Sequence, residues 1–285
     1  ARVEARLRQR DAAGIVAVCA VHVDTSTSLR TDVAGLRAAL DAAGHDALLM
    51  VDCIASLACD VYEMDRWGVD VTVAASQKGL MSPAGLGFVF LNGKARAASA
   101  RTEPSRYWDW SNRIAPEGFY QFFYGTVPTH HVFALRAALD MLGEEGIEAV
   151  WARHAALARA VWAAFEAWGE DGPLRLAVAD PDQRGHSVTS AHVGPRQGDA
   201  LRAWCEREAG LTLGIGLGRD EADAWFRIAH MGHVNAHMVL GALATVDSGL
   251  KALGIPHGSG ALDRAAVAVA RAVARTDARL APAAS

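Results

Sequence analysis

The sequence has few lysines and no long apolar run. Only three of its 28 basic residues are lysines, namely Lys78, Lys94 and Lys251. No uninterrupted stretch of about 18 apolar residues occurs, which argues against a membrane-spanning helix. A class of protein that needs such a helix is therefore not expected.

The four cysteines are also informative through what they do not form. They are Cys19, Cys53, Cys59 and Cys205. None of them lies in a CxxC pair, so we expect neither a zinc site nor a disulfide framework, and no bound metal. Such cysteine usage is typical of a reduced, cytoplasmic protein.

Net charge and chain length further limit the class of protein to which the sequence can belong. The 28 basic and 32 acidic residues give a net charge of −4, without the basic surplus that a nucleic-acid partner requires. A content of 51% hydrophobic and 21% charged residues is globular, and 285 residues suffice for about two domains. The chain opens at Ala1 with a charged helical pattern. The sequence shows neither an initiator methionine nor a signal peptide. We expect that it starts in the middle of a secondary-structure pattern.

The first half alternates apolar runs with a helical pattern. Strands are predicted at 14–22, 47–51, 69–75 and 85–91, and a helix at 31–43 that ends at Gly44. Continuous apolar strands that alternate with helices indicate a mostly parallel sheet with helices on both faces. We therefore predict an α/β domain over residues 1–143.

The second half is more helical and predicts a smaller α+β domain over residues 144–285. A predicted helix at 132–142 precedes this domain, and the predicted helices within it lie at 144–168, 197–208, 235–253 and 261–275. Its predicted strands lie at 174–179, 187–193 and 225–229.

Three polar residues follow predicted strands of the first half: Ser26, Asp52 and Lys78. Ligands of open α/β sheets bind outside the carboxyl ends of the strands. Burial lowers the pKa of a lysine, and such an amine forms Schiff bases with carbonyl compounds and with pyridoxal phosphate. That cofactor also needs an acid beside its pyridine nitrogen, and Asp52 is a candidate. The alternative is that Asp52 caps a helix and Lys78 is a solvated loop residue.

The residues from Val51 to Leu80, VDCIASLACDVYEMDRWGVDVTVAASQKGL, resemble the core of class V aminotransferases of fold type I. The similarity is greatest to the alanine–glyoxylate and serine–glyoxylate aminotransferases and extends over nearly the whole chain. It includes HVDTST from His22, FYGTVP from Phe123, VWARH from Val150 and FRIAHMG from Phe226. The aspartate-to-lysine interval, with Ser-Gln before the lysine, is its most specific element.

The resemblance implies a role for each matching residue. Lys78 would hold pyridoxal 5'-phosphate covalently and move the substrate's α-proton, and Asp52 would pair with the pyridinium nitrogen. Gln77 would contact the cofactor near its phosphate and Ser26 near its phenolic oxygen. Thr126 would reach the phosphate of a cofactor in a neighbouring subunit of a homodimer. Ser26 and Thr126 also have simpler interpretations, because such hydroxyls often bond their own backbone or cap helices.

Arg227 would clamp the substrate carboxylate. It lies in a short apolar segment, an unusual place for an unpaired cation. The planar guanidinium suits the two oxygens of a carboxylate. An edge-strand arginine facing water is the alternative.

The sequence departs from the family pattern in three places. Ser28 stands where relatives commonly have glycine. Phe123 stands where some have a phosphate-binding tyrosine, with Tyr124 as a substitute. The more than one hundred residues that precede this region in the family would supply the phosphate loop and the aromatic residue that stacks on the ring.

The predicted activity is transfer of an amino group from serine or alanine to glyoxylate or pyruvate by a ping-pong mechanism. The alternatives are pyridoxamine–pyruvate or ureidoglycine–glyoxylate aminotransfer, a desulfurase, or a catalytically incompetent fragment. The GIGLG run at Gly214 lacks the third glycine of a dinucleotide fingerprint, because that place is Arg219. His230, His233 and His237 lack an accompanying carboxylate or cysteine, which argues against zinc.

Overall fold

The computed structural model describes residues 1–123 and 125–280. The chain forms two compact units. The first unit comprises residues 1–22, 31–54 and 62–144. The second comprises residues 23–30, 55–61 and the chain from residue 145 onward. Two short segments of the first half therefore belong to the second unit.

The first unit contains a four-stranded sheet in the order β1-β2-β3-β4. Its strands are β1 (Ala17–Val21), β2 (Leu48–Asp52), β3 (Val71–Ala75) and β4 (Gly87–Leu91). β2 pairs in parallel with β1 and β3, whereas β4 runs antiparallel to β3. The predicted mostly parallel sheet is confirmed, with one antiparallel edge strand that the sequence pattern did not distinguish.

The helices of this part are α1 (Arg2–Leu7), α2 (Val33–Ala43), α3 (Gly93–Ser99), α4 (Ser111–Ile114) and α5 (Thr129–Glu145). Asp32 begins α2 by accepting the backbone N–H of Gly35 at 2.8 Å. Gly44 ends it with φ 62°, as the sequence predicts. Single 3-10 turns lie at Arg10–Gly14 and Phe119–Phe122. The short helices α3 and α4 were not predicted because neither has room for a helical apolar repeat.

The second unit contains an antiparallel sheet in the order β5-β6-β8-β7. Its strands are β5 (Arg175–Leu176), β6 (Val188–His192), β7 (Gly214–Ile215) and β8 (Trp225–Ala229). Its helices are α6 (Ile147–Gly169), α7 (Gln197–Ala209), α8 (Ala236–Ala252) and α9 (Ala261–Leu280), with 3-10 turns at Pro181–Gln183 and Ala222–Ala224. The strand predicted at 174–179 is observed as β5, which is only two residues long. β7 was not predicted because it is equally short.

A tight aromatic core fixes β8 within the second unit. Phe165 and Trp168 of α6 and Phe226 of β8 are almost completely buried. The Phe165 ring lies 5.1 Å from that of Trp168 and 5.5 Å from that of Phe226, between ring centroids. Burial of each such side chain contributes about 2 kcal/mol or more. Because side chains alternate along a strand, burial of Phe226 and Ile228 directs Arg227 to the opposite face of β8.

In the described ranges, no helix combines the length and apolar character needed to cross a membrane.

Candidate active site

The carboxyl ends of three parallel strands meet at one edge of the first sheet. Val21 lies opposite Asp52 in the β1–β2 pairing, and Asp52 lies opposite Val73 in the β2–β3 pairing. The turn that carries Gln77 and Lys78 starts directly after β3. The structure thus brings Asp52, Gln77 and Lys78 to the same sheet edge, as the sequence predicts for a ligand site.

Asp52 is the last residue of β2 and is half-buried. Its Oδ1 accepts the backbone N–H of Ile54 at 2.8 Å. Its backbone carbonyl accepts the N–H of His22 at 2.8 Å, which fixes the main chain at this strand end. Within the described residues Oδ2 has no hydrogen-bond donor, so this oxygen is available to a protonated ring nitrogen.

Lys78 lies on a short loop that closes on itself. Ser76 Oγ donates a hydrogen bond to the carbonyl oxygen of Pro83 at 2.7 Å, and the N–H of Ser82 bonds the carbonyl of Ser76 at 3.0 Å. The N–H of Met81 bonds the carbonyl of Lys78 at 3.0 Å, and Met81 has φ 56°. A methionine in the left-handed region is strained, which is common in loops that hold functional groups.

The three lysines differ in what their amines contact. Lys94 Nζ lies 3.2 Å from Asp46 Oδ1, and Lys251 Nζ lies 2.6 Å from Asp247 Oδ2. Lys78 Nζ makes no hydrogen bond or ion pair within the part of the chain that the structure describes. The half-buried Lys78 is therefore the lysine whose amine no described residue occupies.

An aromatic group beside Asp52 was not found from the sequence. His22 follows β1 and is buried, with its ring 5.3 Å from that of Tyr62 and 5.8 Å from that of Trp67. The Tyr62 hydroxyl lies 2.6 Å from Thr72 Oγ1, and burial raises the pKa of Tyr62, which keeps this phenol neutral. The available signal was His22 itself, a polar residue that directly follows an apolar strand.

Arg227 belongs to the second unit and lies in β8, half-buried. Its Nε donates to the carbonyl oxygen of Ile215 at 2.7 Å, and Nη1 donates to that of Thr25 at 3.1 Å. Burial lowers its pKa, an effect that Asp24 partly offsets. No carboxylate lies within 4 Å of this guanidinium among the described residues, which leaves it able to bind a carboxylate ligand.

Ser26 lies in the loop that Arg227 contacts. Its Oγ donates a hydrogen bond to the carbonyl of Leu217. Both oxygens of Asp24 organise the loop by accepting N–H groups of Ser26 and Thr27 and the Thr27 hydroxyl. These hydrogen bonds outweigh burial and hold the pKa of Asp24 below its usual range. The structure therefore brings Ser26 and Arg227 together in the second unit.

Gln77 and Thr126 are exposed, and both belong to the first unit. Thr126 precedes α5 and lines a cavity of about 740 Å³. The cavity walls include β4, Phe122 and Phe123. Tyr124, the substitute suggested for a phosphate-binding tyrosine, lies outside the described residues.

The three histidines near β8 have different surroundings. His230 is fully buried, whereas His233 and His237 are exposed. In the described ranges no group of three or more His, Cys, Asp or Glu side chains is arranged to hold a metal ion. His230 instead belongs to a hydrogen-bonded chain inside the second unit, with Nε2 2.9 Å from Thr189 Oγ1 and Nδ1 2.9 Å from the carbonyl of His186.

Comparison with known protein families identifies the family of this chain. The profile of the family described as aminotransferase class-V matches residues 3–217. The chain belongs to the class-V aminotransferase family. The predicted family is thereby confirmed. Pyridoxal phosphate is the cofactor of this family.

Individual class-V aminotransferases resemble this chain over most of its length. Serine–glyoxylate aminotransferase of Arabidopsis thaliana is 37% identical over 255 residues, covering 88% of this chain and 62% of the relative. That of Methylorubrum extorquens is 36% identical over 264 residues, covering 88% and 64%. L-aspartate–glyoxylate aminotransferase of Paracoccus denitrificans is 36% identical over 242 residues, covering 84% and 59%. This chain therefore spans less than two thirds of the length of these curated relatives.

Solved structures confirm the fold. Ureidoglycine–glyoxylate aminotransferase of Bacillus subtilis matches with a TM-score of 0.81 at 25% identity, covering 94% of this chain and 68% of the other. Pyridoxamine–pyruvate aminotransferase of Mesorhizobium loti matches with a TM-score of 0.82 at 25% identity, covering 95% and 68%. The predicted fold type I is thus confirmed for a chain of partial length.

The residues present fit pyridoxal phosphate in their chemistry. The first unit offers an uncommitted primary amine on Lys78 and an uncommitted carboxylate oxygen on Asp52 at one sheet edge. These are the two groups that a pyridine aldehyde needs, one for its carbonyl carbon and one for its ring nitrogen.

Proposed function

We propose that the protein is a pyridoxal-phosphate-dependent aminotransferase that moves an amino group from a small amino acid, serine or alanine, to glyoxylate or pyruvate. The observation that carries the proposal is the pairing of β2 with β3, which places the carboxylate of Asp52 and the loop of Lys78 on one sheet edge. The names of the class-V relatives support glyoxylate as the acceptor.

Each residue contributes a separate part of the chemistry. When bound, pyridoxal phosphate supplies a carbonyl that condenses with amines and a ring that accepts electron density from the substrate's α-carbon. Lys78 Nζ would hold the cofactor and would also carry the substrate's α-proton, as base and then as acid. Asp52 Oδ2 would accept a hydrogen bond from the ring N–H and would keep that nitrogen positively charged. Arg227 holds the α-carboxylate of the substrate, which orients its α-carbon.

The roles of the other predicted site residues are also proposals. We assign Gln77 to the region of the cofactor phosphate and Ser26 to that of the phenolic oxygen. Thr126 would reach the phosphate bound by a second copy of the chain. An exposed aromatic segment in the first unit supports such a homodimer: Tyr107, Trp108, Phe119 and Tyr120 are each more than 60% exposed. Size-exclusion chromatography with light scattering tests the dimer, and a monomer would contradict it.

The proposal extends to domains and compartment. We assign residues 1–143 to the remainder of the large cofactor-binding domain and residues 144–285 to the small domain. None of the four cysteines forms a disulfide in the part of the chain that the structure describes, which supports a reducing compartment, and we propose the cytoplasm.

The three lysines provide a direct test of the cofactor assignment. The protein is incubated with pyridoxal phosphate, reduced with borohydride and digested, and the modified peptides are identified by mass spectrometry. We expect the cofactor on Lys78, and its visible absorbance to disappear in Lys78→Ala. Lys94→Ala and Lys251→Ala are matched controls that should keep both signals. Modification confined to Lys94 and Lys251, or no modification, would contradict the assignment.

A screen of half-reactions tests the substrate assignment. The cofactor-loaded protein is mixed with one amino acid at a time, and conversion to the amine form is followed by absorbance. We expect serine and alanine to convert it and glyoxylate or pyruvate to restore it. Conversion by pyridoxamine or ureidoglycine alone would favour the activities named for the structural neighbours.

A further inference from the structure

Arg219 is a second guanidinium on the loop that holds Arg227. Arg219 Nη2 lies 3.4 Å from the carbonyl oxygen of Ser26, whereas Arg227 Nη1 lies 3.1 Å from that of Thr25. The two arginines are therefore anchored on consecutive residues, whose Cα atoms are about 3.8 Å apart. All four residues lie in the second unit.

The position of Arg219 is fixed by packing rather than by an ion pair. Its guanidinium carbon lies 4.2 Å from the centroid of the Trp225 ring, and the Trp225 ring in turn lies 5.2 Å from that of His192. Stacking of this kind holds the planar group in place. Among the described residues, its buried Nε has no hydrogen-bond acceptor, which costs free energy unless a ligand supplies one.

The protein itself provides little negative charge for these two arginines. Asp24 is the carboxylate that acts on both, and its two oxygens are already bonded to Ser26 and Thr27. In the described ranges, Arg219 forms no ion pair within 4 Å, although acidic residues follow it at 220, 221 and 223. The two guanidinium groups therefore share one carboxylate, whose oxygens already accept other hydrogen bonds.

We propose that Arg219 and Arg227 together bind a short ligand with two carboxylates, so that the substrates include an acidic amino acid or its 2-oxo acid. The proposal rests on the proposed aminotransferase function and extends its donor range. Arg227 takes the α-carboxylate, and Arg219 takes the carboxylate of the side chain. Serine and alanine still bind through Arg227 alone.

Binding of non-reactive ligands tests the proposal without catalysis. Isothermal titration calorimetry compares succinate with butyrate, which has the same carbon number and one carboxylate. We expect succinate to bind at least about tenfold more tightly, as a charged hydrogen-bonded contact allows. Arg219→Gln should remove this preference and leave butyrate binding unchanged, whereas Arg227→Gln should weaken both. Arg207→Gln on α7 makes the same charge change at an exposed site and should alter neither.

Arg219→Met separates loss of charge from loss of packing. Its side chain keeps an apolar stem against Trp225, and near-ultraviolet circular dichroism reports whether the fold is kept. The proposal is overturned if the wild-type protein shows no preference for succinate, if it binds neither ligand, or if folded Arg219→Gln and Arg219→Met keep the preference.

Kinetics separates this proposal from the proposed function. We expect Arg219→Gln to lower kcat/KM for aspartate about tenfold or more relative to serine or alanine. Transfer from serine or alanine without any preference for dicarboxylates would overturn the two-arginine site and leave the aminotransferase proposal intact. A preference for succinate without any amino transfer would overturn the aminotransferase proposal and leave the two-arginine site intact.

Discussion

Arg227 Nη1 donates a hydrogen bond to the carbonyl oxygen of Thr25 at 3.1 Å, which joins residues 202 positions apart in the chain. A second bond from Nε to Ile215 at 2.7 Å fixes the plane of the guanidinium. These two contacts orient the guanidinium group. Such preorganisation reduces the entropy lost on binding a carboxylate.

Arg227→Lys should therefore impair substrate binding although it keeps the positive charge. Lysine presents a single point charge and cannot form the two-pronged contact with a carboxylate. We expect KM for the amino donor to rise by roughly tenfold to a hundredfold. Steady-state kinetics measures the change, and Arg207→Lys is the exposed control. An unchanged KM would contradict the assignment of Arg227 to the substrate carboxylate.

Asp52→Asn should separate the structural role of Asp52 from its chemical one. The asparagine carbonyl oxygen can still accept the N–H of Ile54, so the free energy of unfolding should change little. If Asp52 has the proposed role beside the ring nitrogen, loss of its charge should lower kcat by about a hundredfold or more. Urea unfolding and single-turnover kinetics measure the two effects. A large loss of stability with kcat retained would assign Asp52 to the fold alone.

The positions of Asp52 and Lys78 were predictable because each follows a continuous apolar run. A buried parallel strand needs such a run, and its carboxyl end is where ligands bind. Arg227 was predictable as a cation within the apolar segment from Trp225 to Ile228. Local sequence is sufficient in these cases, since the signal and the element that positions the residue are the same few residues.

The side chains that surround the site were not predictable in this way. Arg219 stacks on Trp225 and reaches Ser26, and His22 packs against Tyr62 and Trp67. These contacts depend on how distant segments fold together, and no spacing in the sequence encodes them. The same holds for β7, whose two residues form a strand because β8 lies beside them.

Ser28→Gly should stabilise the loop between Asp24 and Arg30. Ser28 has φ 66°, and its buried Oγ lacks a hydrogen-bond partner within the described part of the chain. A residue with a Cβ atom pays about 1 kcal/mol in the left-handed region, whereas glycine does not. We expect the free energy of unfolding to rise by about 1 kcal/mol.

Ser28→Ala is the matched control for the loop. It removes the unpartnered hydroxyl but keeps the Cβ atom, so it should recover only the part of the gain that comes from the hydroxyl. Urea titration of both variants gives the two values. An equal gain in both would show that the hydroxyl, and not the backbone, limits stability.

The buried series of hydrogen bonds through His230 predicts how the free energy of unfolding depends on pH. Trp162 Nε1 donates to Thr189 Oγ1 at 3.1 Å, and that hydroxyl lies 2.9 Å from His230 Nε2. The other ring nitrogen of His230 faces the carbonyl of His186 at 2.9 Å, so it carries the proton. Nε2 must then accept from Thr189, and the ring is neutral. Burial, with a smaller contribution from His154, lowers the pKa of His230 from 6.5 to about 4, although the His186 carbonyl and Asp60 oppose the shift.

The sign of the pH effect follows from this lowered pKa. The unfolded chain takes up a proton at His230 near pH 6.5, whereas the folded protein does so only near pH 4. The stability gained from neutral His230 is complete above pH 6.5 and is lost as the pH falls from 6.5 through 4, about 3 kcal/mol in total. His230→Gln cannot titrate, so urea unfolding of this variant should show a smaller loss over that range, whereas the exposed control His237→Gln should follow the wild type. A parallel loss in His230→Gln and wild type would assign the pH dependence to other groups.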